Sequence, residues 1–412
     1  MRNNIVRPST LRRRKFIDWL AGKNNVRIEL PSVKKHGLDF PLLFGVVALC
    51  AFGLVMLFSA SYYYAQTNFG NGYKFVLSQA GWLVGGFILL FVFSHIPYTL
   101  YAKRFFPLLA YGGLIVLLVA VLAVGKTLQG AQRWIIIGPI SMQPSELAKF
   151  IIVICLANYL AKRPHDAHFF FKGLVACLLI AAIPCFLIFI QPNLSMVIII
   201  VINVMVMLVA GGCGLHQLGA LICTGFFALV IYLKLNGGYQ SDRFALITMS
   251  WEELLENVSN NSYQVVQSFY AFANGGWFGQ GFDASRQKLL FLPYRESDYI
   301  LAIIGEELGF VGVILMLSVY FFVIYRGFKI AMTCKERFGS LLAIGMTGTL
   351  AVQVVINVAV VTGLLPSTGQ TLPFISSGGS SVVSFLVAIG ILLNVSRYTE
   401  KTKANLKRVK NP

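Results

Sequence analysis

Residues 299–325 read YILAIIGEELGFVGVILMLSVYFFVIY, and their only formal charges are Glu306 and Glu307. About 20 predominantly apolar residues cross the hydrocarbon layer of a bilayer as a helix. This stretch is therefore a membrane span with two acids inside it. Nine further runs of the same character occur: 40–63, 75–95, 105–125, 147–161, 173–190, 194–211, 218–234, 339–363 and 378–395. Two of them are parted only by Gln191-Pro192-Asn193, where the proline breaks what would otherwise be one overlong helix. The fold class expected is an all-α polytopic membrane protein with ten transmembrane helices. Composition agrees, since 57% of the 412 residues are hydrophobic and 12% charged, against roughly 45–50% and about 25% in soluble domains. A soluble core of this make-up would lack the polar surface to cover itself.

Ten spans return both termini to one side. Residues 1–39 hold 10 Lys/Arg against 3 Asp/Glu, and residues 396–412 hold 6 against 1. With both tails cytoplasmic, inner segments carry 25 Lys/Arg and outer segments 7, the positive-inside asymmetry. The net charge of +18 is thus topological, and no nucleic-acid partner is expected. The chain divides into a basic cytoplasmic N-terminal tail (1–39), a membrane domain (40–395) and a basic cytoplasmic C-terminal tail (396–412). Phe16, Trp19 and Leu20 beside Arg12, Arg13 and Arg14 offer an interfacial anchor, with a plain basic tail as the alternative. The first apolar run starts near Phe40 and is too long for a signal-peptide core, so no cleavable signal is expected. The seven cysteines lie in spans or at inner ends, which leaves no external disulfide framework.

Two outer connections are long: 126–146, and the 64 residues of 235–298. The second is rich in aromatics, among them Trp251, Tyr263, Phe269, Tyr270, Phe272 and Trp277. It reads as a large ordered extracellular loop between helices 7 and 8 with short interfacial helices, one of them around 262–273. It ends in RESD, residues 295–298, so Asp298 falls at the start of the eighth span. An aspartate there is either a helix cap or a general base facing a cavity. A cap would weaken the base. Glu306 and Glu307 lie about 12 Å deeper at 1.5 Å rise per residue. At about 100° per residue they sit roughly 80° and 180° from Asp298, so the three acids cannot line one cavity. Structural pairing, with Lys149 as partner, is the role expected for Glu307.

Further candidates flank the fourth span. Residues 130–134 read GAQRW and 143–149 read QPSELAK. Ser145 is placed to cap the helix, and Glu146 and Lys149 share a face at three-residue spacing. Arg133 at the same boundary suits a phosphate or headgroup, and Trp134 is either a belt residue or a cleft wall. Residues 363–381, GLLPSTGQTLPFISSGGSS, form an uncharged outer loop running into the last span. Its small residues suit close helix packing or, as exposed N–H groups, an anion. Among the five histidines and seven cysteines no zinc spacing occurs, and neither Walker A nor Rossmann fingerprints appear. No metal-ligand residues are assigned.

These segments, with YQVVQS (263–268), GGWFGQG (275–281) and FLPYRESDYILAIIGEELGFVG (291–312), resemble the SEDS family (shape, elongation, division and sporulation) from about residue 40 to 397. Within it they look more like the division branch, FtsW, than the elongation paralogue RodA. Three positions depart from the family pattern: Asn193 stands where an acid is usual, Ser377 where tyrosine is common, and Tyr294 where glutamate is common. The resemblance implies a peptidoglycan glycosyltransferase that polymerises lipid II on the outer face of the bacterial cytoplasmic membrane, at the division septum. It implies an undecaprenyl-pyrophosphate-linked glycan as donor, a class B penicillin-binding protein transpeptidase as partner, and other divisome proteins. Asp298 matches the family's key acid and is expected to activate the acceptor hydroxyl. Arg133, Lys288, Arg243 and Arg286 are expected to neutralise pyrophosphate, Trp134 to shape the cleft, and Glu146 and Lys149 to line or support it. No cofactor is required by the resemblance, which leaves a divalent cation, Mg or Mn, open beside Asp298. Two rivals stand beside this reading. A lipid II flippase predicts ionisable residues at mid-membrane on discontinuous helices. A non-catalytic scaffold recruiting a transpeptidase predicts indifference to loss of Asp298.

Overall fold

The computed structural model describes residues 37–103, 105–128, 131–138, 140–235, 253 and 260–399. Arg243, the interfacial-anchor residues of the N-terminal tail and most of both tails lie outside the described residues.

A helix covers each of the ten expected runs. In chain order these are α1 Phe40–Phe69, α2 Lys74–His95, α3 Phe105–Val124, α4 Pro144–Lys162, α5 Ala176–Ile190, α6 Leu194–Gly211 and α7 Leu215–Leu235. The loop helix expected around 262–273 is α8, Asn260–Gly275, and it precedes α9 Ile300–Thr333, α10 Arg337–Val361 and α11 Gly379–Ser396. Nine helical stretches among the described residues are long and apolar enough to cross a membrane. Local chemistry sets several ends. Asp39 accepts from the Leu42 amide at 3.0 Å to cap α1, and the same carboxylate takes Arg326 from α9 at 2.6 Å. Asn193 caps α6 through the Met196 amide at 3.3 Å, the use made of the residue that departs from the family pattern. Ser145 is not a cap. The N-cap of α4 is Gln143 with Pro144 behind it, since proline already occupies a position whose N–H would be unsatisfied.

The most buried spans are α11, α4 and α10, and α10 packs against α4, α6 and α9. In contrast, α2 and α3 turn broad apolar faces outward, with Val84, Ile88, Leu108 and Val116 all exposed, as lipid-facing helices do. Pairs of polar groups pin helices where water is excluded. Asn203 of α6 donates to Thr349 of α10 at 2.6 Å. Asn394 of α11 donates to the Ser94 carbonyl at the end of α2 and accepts from the Tyr98 amide, both at 2.8 Å.

The first long connection holds a sheet that the expected all-helical reading omitted, and the second holds the helix expected around 262–273 on a different course. Residues 126–142 form a three-stranded antiparallel sheet, β1 Lys126–Leu128, β2 Ala131–Ile137 and β3 Ile140–Met142. Ile135 pairs with Met142 and Lys126 with Trp134. The β-branched run Ile135-Ile136-Ile137 favours an extended chain. The second difference is larger. Helix α8 does not lie on the surface but descends along α9, and the chain turns at residues 276–281 against the α9 backbone. Gly309, nine residues and roughly 14 Å below the start of α9, has φ 67°, ψ −171° and breaks that helix. Phe310 and Val311 then donate to the carbonyls of Gly276 and Trp277 at 2.9 and 3.1 Å, while Gln280 and Gly281 donate to Glu306 and Glu307 carbonyls at 2.9 and 3.0 Å. Non-helical backbone at membrane depth must satisfy its polar groups internally. Here a broken helix and a re-entrant turn satisfy each other. Glycine is required for the approach, because a Cβ on Gly279 would lie 2.1 Å from the Glu307 carbonyl oxygen.

Candidate active site

Asp298 precedes α9 in a run of turns that includes Tyr294 at φ 53°. The N-cap position belongs to Tyr299, which makes no side-chain capping bond. The backbone around Asp298 is held from three directions. Asn357 of α10 donates to its carbonyl at 3.0 Å, Ser376 Oγ donates to the Ser297 carbonyl at 2.5 Å, and the Ser377 amide donates to the Glu296 carbonyl at 2.9 Å. The Asp298 side chain is half-buried and turns toward the 363–378 loop, with Oδ2 3.7 Å from where a Cβ on Gly369 would stand. That distance is an ordinary contact, so glycine at 369 answers to its φ of +66°.

Below this loop lies the second cluster. Lys149 is 1% exposed, and its Nζ sits 2.8 Å from Glu146 Oε2 and 2.5 Å from Gln353 Oε1. The Phe385 ring lies 4.6 Å from the same nitrogen. Gln353 passes the contact on, donating to the Thr371 carbonyl at 3.0 Å. Asn357, one helical turn along, donates to the Gln370 carbonyl at 2.8 Å. Thus α10 presents two amides, four residues apart on one face, that tie the Glu146–Lys149 pair to Thr371 and Asp298 to its neighbour Gln370. Neither amide was singled out by sequence. A pair of amides at helical spacing inside an apolar run was the available signal.

Lys288 goes elsewhere. Its Nζ lies 3.1 Å from Glu307 Oε1 and 3.0 Å from Ser59 Oγ, and it also pairs with Asp283. Glu307 is fully buried, so its partner is Lys288 and not the Lys149 that the sequence suggested. Lys149 is taken by Glu146 and Gln353. Glu306 faces another way, as its helical angle requires. It accepts from Asn274 Nδ2 and from the Arg286 and Gln287 amides, each at 3.2 Å, and from the Ser285 hydroxyl. Both acids therefore fasten the returning loop to α9. Arg286 itself is exposed.

Arg133 Nε donates to the Gln191 carbonyl at 3.2 Å, and its Nη2 to that of Pro192, so the guanidinium binds the turn between α5 and α6. Trp134 is half-buried in β2. Arg295, counted by sequence only among outer charges, is 3% exposed and lies 4.7 Å from the Tyr64 ring. Burial pulls its guanidinium below its ordinary range, partly offset by Glu296. Burial likewise raises the Glu296 carboxyl above the usual carboxylate range, opposed by its own backbone N–H and by Arg295. Among the described residues no three His, Cys, Asp or Glu side chains gather as metal ligands would.

A family model described as cell cycle protein, covering FtsW, RodA and SpoVE, matches residues 40–401. A relative in Geobacter metallireducens named probable peptidoglycan glycosyltransferase FtsW is 34% identical over 373 residues, covering 90% of this chain and 97% of that one. The stage V sporulation protein E of Bacillus subtilis is 35% identical, covering 89% and 99%. A chain solved in a study of a peptidoglycan synthase complex that coordinates polymerisation and crosslinking superposes with a TM-score of 0.73 at 28% identity, covering 87% of this chain and 98% of its own. With a family model spanning 40–401 and relatives matched over nearly their full length, the chain belongs to the FtsW/RodA/SpoVE family of cell cycle proteins.

Proposed function

We propose that this chain is a peptidoglycan glycosyltransferase that polymerises lipid II on the outer face of the cytoplasmic membrane, with Asp298 as general base. The observation that carries the reading is the position of Asp298. It is an acid at the outer end of α9, apart from the buried contacts of Glu146, Glu306 and Glu307, on a backbone held by Asn357, Ser376 and Ser377. The acceptor's 4-hydroxyl attacks C1 of the donor sugar, its proton passes to the carboxylate, and the lipid pyrophosphate leaves with inversion. Glycosidases need a second carboxyl to protonate a poor leaving group. Pyrophosphate instead needs its charge stabilised, and one base with several cations suits it.

Arg286 and Arg243 are the cations assigned to pyrophosphate, with Arg133 at the sheet and Trp134 as cleft wall. Lys288 acts through the loop that carries Arg286, and Glu146 and Lys149 act through the 370–371 backbone. A Mg or Mn ion would find in Asp298 one carboxylate and take its other oxygens from the diphosphate. The partner is a class B penicillin-binding protein, which crosslinks the strand at the septum.

The test is glycan polymerisation from lipid II by the purified chain with its transpeptidase. A positioned base contributes about 10²–10⁴-fold, so Asp298→Asn and Asp298→Ala should lose at least about 100-fold with partner binding intact. Polymerisation by both variants at the wild-type rate sinks the assignment. The flippase reading draws on the break in α9 beside two acids. Those acids are already bound by Lys288, Ser59, Asn274 and the loop amides, which leaves the polymerase reading ahead.

A further inference from the structure

On the inner side, at the opposite end from Asp298, a cavity of about 640 Å³ opens between the start of α3, the end of α4 and the start of α5. That volume falls within the range of small-molecule clefts. Its rim is apolar and open toward lipid, with Leu108 67% and Leu179 64% exposed. Its inner end carries two cations, Lys162 and Arg163, and the guanidinium of Arg163 lies 4.9 Å from the Tyr159 ring centroid. The floor holds Asn158, 8% exposed, whose side-chain oxygen is buried with no hydrogen-bond partner. The neighbouring hydroxyls cannot serve it. Tyr111 donates to the Ile180 carbonyl at 2.9 Å and Tyr159 to the Lys172 carbonyl at 2.5 Å.

We infer that this groove is a binding site for one anionic glycerophospholipid of the inner leaflet. Three requirements converge on that chemistry. The open apolar rim accepts an acyl chain, the adjacent cations accept a phosphate, and the unpartnered amide oxygen accepts from a headgroup donor. A headgroup bearing both a phosphodiester and free hydroxyls, as phosphatidylglycerol does, meets all three. A zwitterionic choline headgroup offers no donor to Asn158 and brings a positive charge toward Lys162 and Arg163. Basic pockets between helices on the cytoplasmic side are a recurrent form of lipid recognition. This one adds an orphan acceptor that selects among headgroups.

The experiment uses the full chain in nanodiscs of equal phosphatidylglycerol and phosphatidylcholine, followed by native mass spectrometry of the lipid retained after detergent transfer. Wild type should retain phosphatidylglycerol over phosphatidylcholine by about tenfold. Lys162→Gln with Arg163→Gln should reduce that preference to twofold or less, and Asn158→Leu should reduce it while leaving total lipid unchanged. Leu179→Trp, which fills the rim without touching a charge, should release the lipid altogether. Millimolar inorganic phosphate should not displace it. Equal retention of the two lipids by wild type, or an undiminished preference in the double variant, overturns the inference. Displacement by phosphate alone overturns it too, by reducing the groove to a site for free anions.

Discussion

Replacing Lys288 by methionine keeps most of the side-chain volume and removes the charge. Lys288 has two acidic neighbours, and their exposure decides which matters. Asp283 is 63% exposed, so its pair with Lys288 contributes about 0–1 kcal/mol. Glu307 is fully buried at 3.1 Å, and stripping its counter-charge leaves an uncompensated carboxylate, a loss of about 3–5 kcal/mol. Glu307→Gln alone should be damaging for the mirror-image reason, since it leaves the ammonium with only Ser59 and a solvent-facing acid. Lys288→Met combined with Glu307→Gln removes both charges, and apolar or neutral replacement of a whole buried pair is often near neutral. The double variant should therefore be more stable than either single one. Unfolding of the purified protein in mild detergent, measured for all four proteins, gives the coupling energy directly. Additive losses in the double variant would refute the claim that this pair, and not Asp283, braces the loop against α9.

Two further outcomes follow from other contacts. Gly279→Ala places a Cβ 2.1 Å from the Glu307 carbonyl at φ +80°, combining overpacking of about 1–3 kcal/mol with left-handed strain of about 1–2 kcal/mol; Gly276→Ala, at φ +51° but with nothing within 4 Å, should cost only the strain, and equal melting shifts for the two would contradict the docked turn. Glu296 is raised by burial, so the folded state binds its proton more readily than the unfolded chain does; stability should fall as pH rises from the ordinary carboxylate range through the raised value, and Glu296→Gln should flatten that slope in a pH series of melting temperatures.

The apolar runs made all ten expected helix positions legible, because a span's length and polarity are set by the bilayer and not by tertiary partners. The sheet at 126–142 was not, since a short β-branched run in an outer loop reads equally as an irregular connection. The re-entrant course of 260–298 depends on a backbone-to-backbone fit between Gly275–Gly281 and the break at Gly309, and sequence shows only that glycines are present. Helical angles did predict that Glu306 and Glu307 face different surroundings. They did not predict partners, because Lys149 and Lys288 reach the centre from distant segments, and which acid each meets is decided by helix packing. Gln353 and Asn357 were missed for a related reason: an amide in a span acquires meaning only when the loop carbonyls it serves are known.

The break at Gly309 has a mechanical consequence. An intact α9 would bend only by deforming its own hydrogen-bond ladder. Here the N–H groups of Phe310 and Val311 are lent to Gly276 and Trp277, so the ladder is interrupted at one level and the stiffness there comes from the turn. Above that level, α8, the returning loop and the outer part of α9 are riveted together through Glu306 and Glu307, and Asp298 rides at the tip. The outer part of α9 therefore owes its support to the docked loop rather than to a continuous hydrogen-bond ladder beneath it.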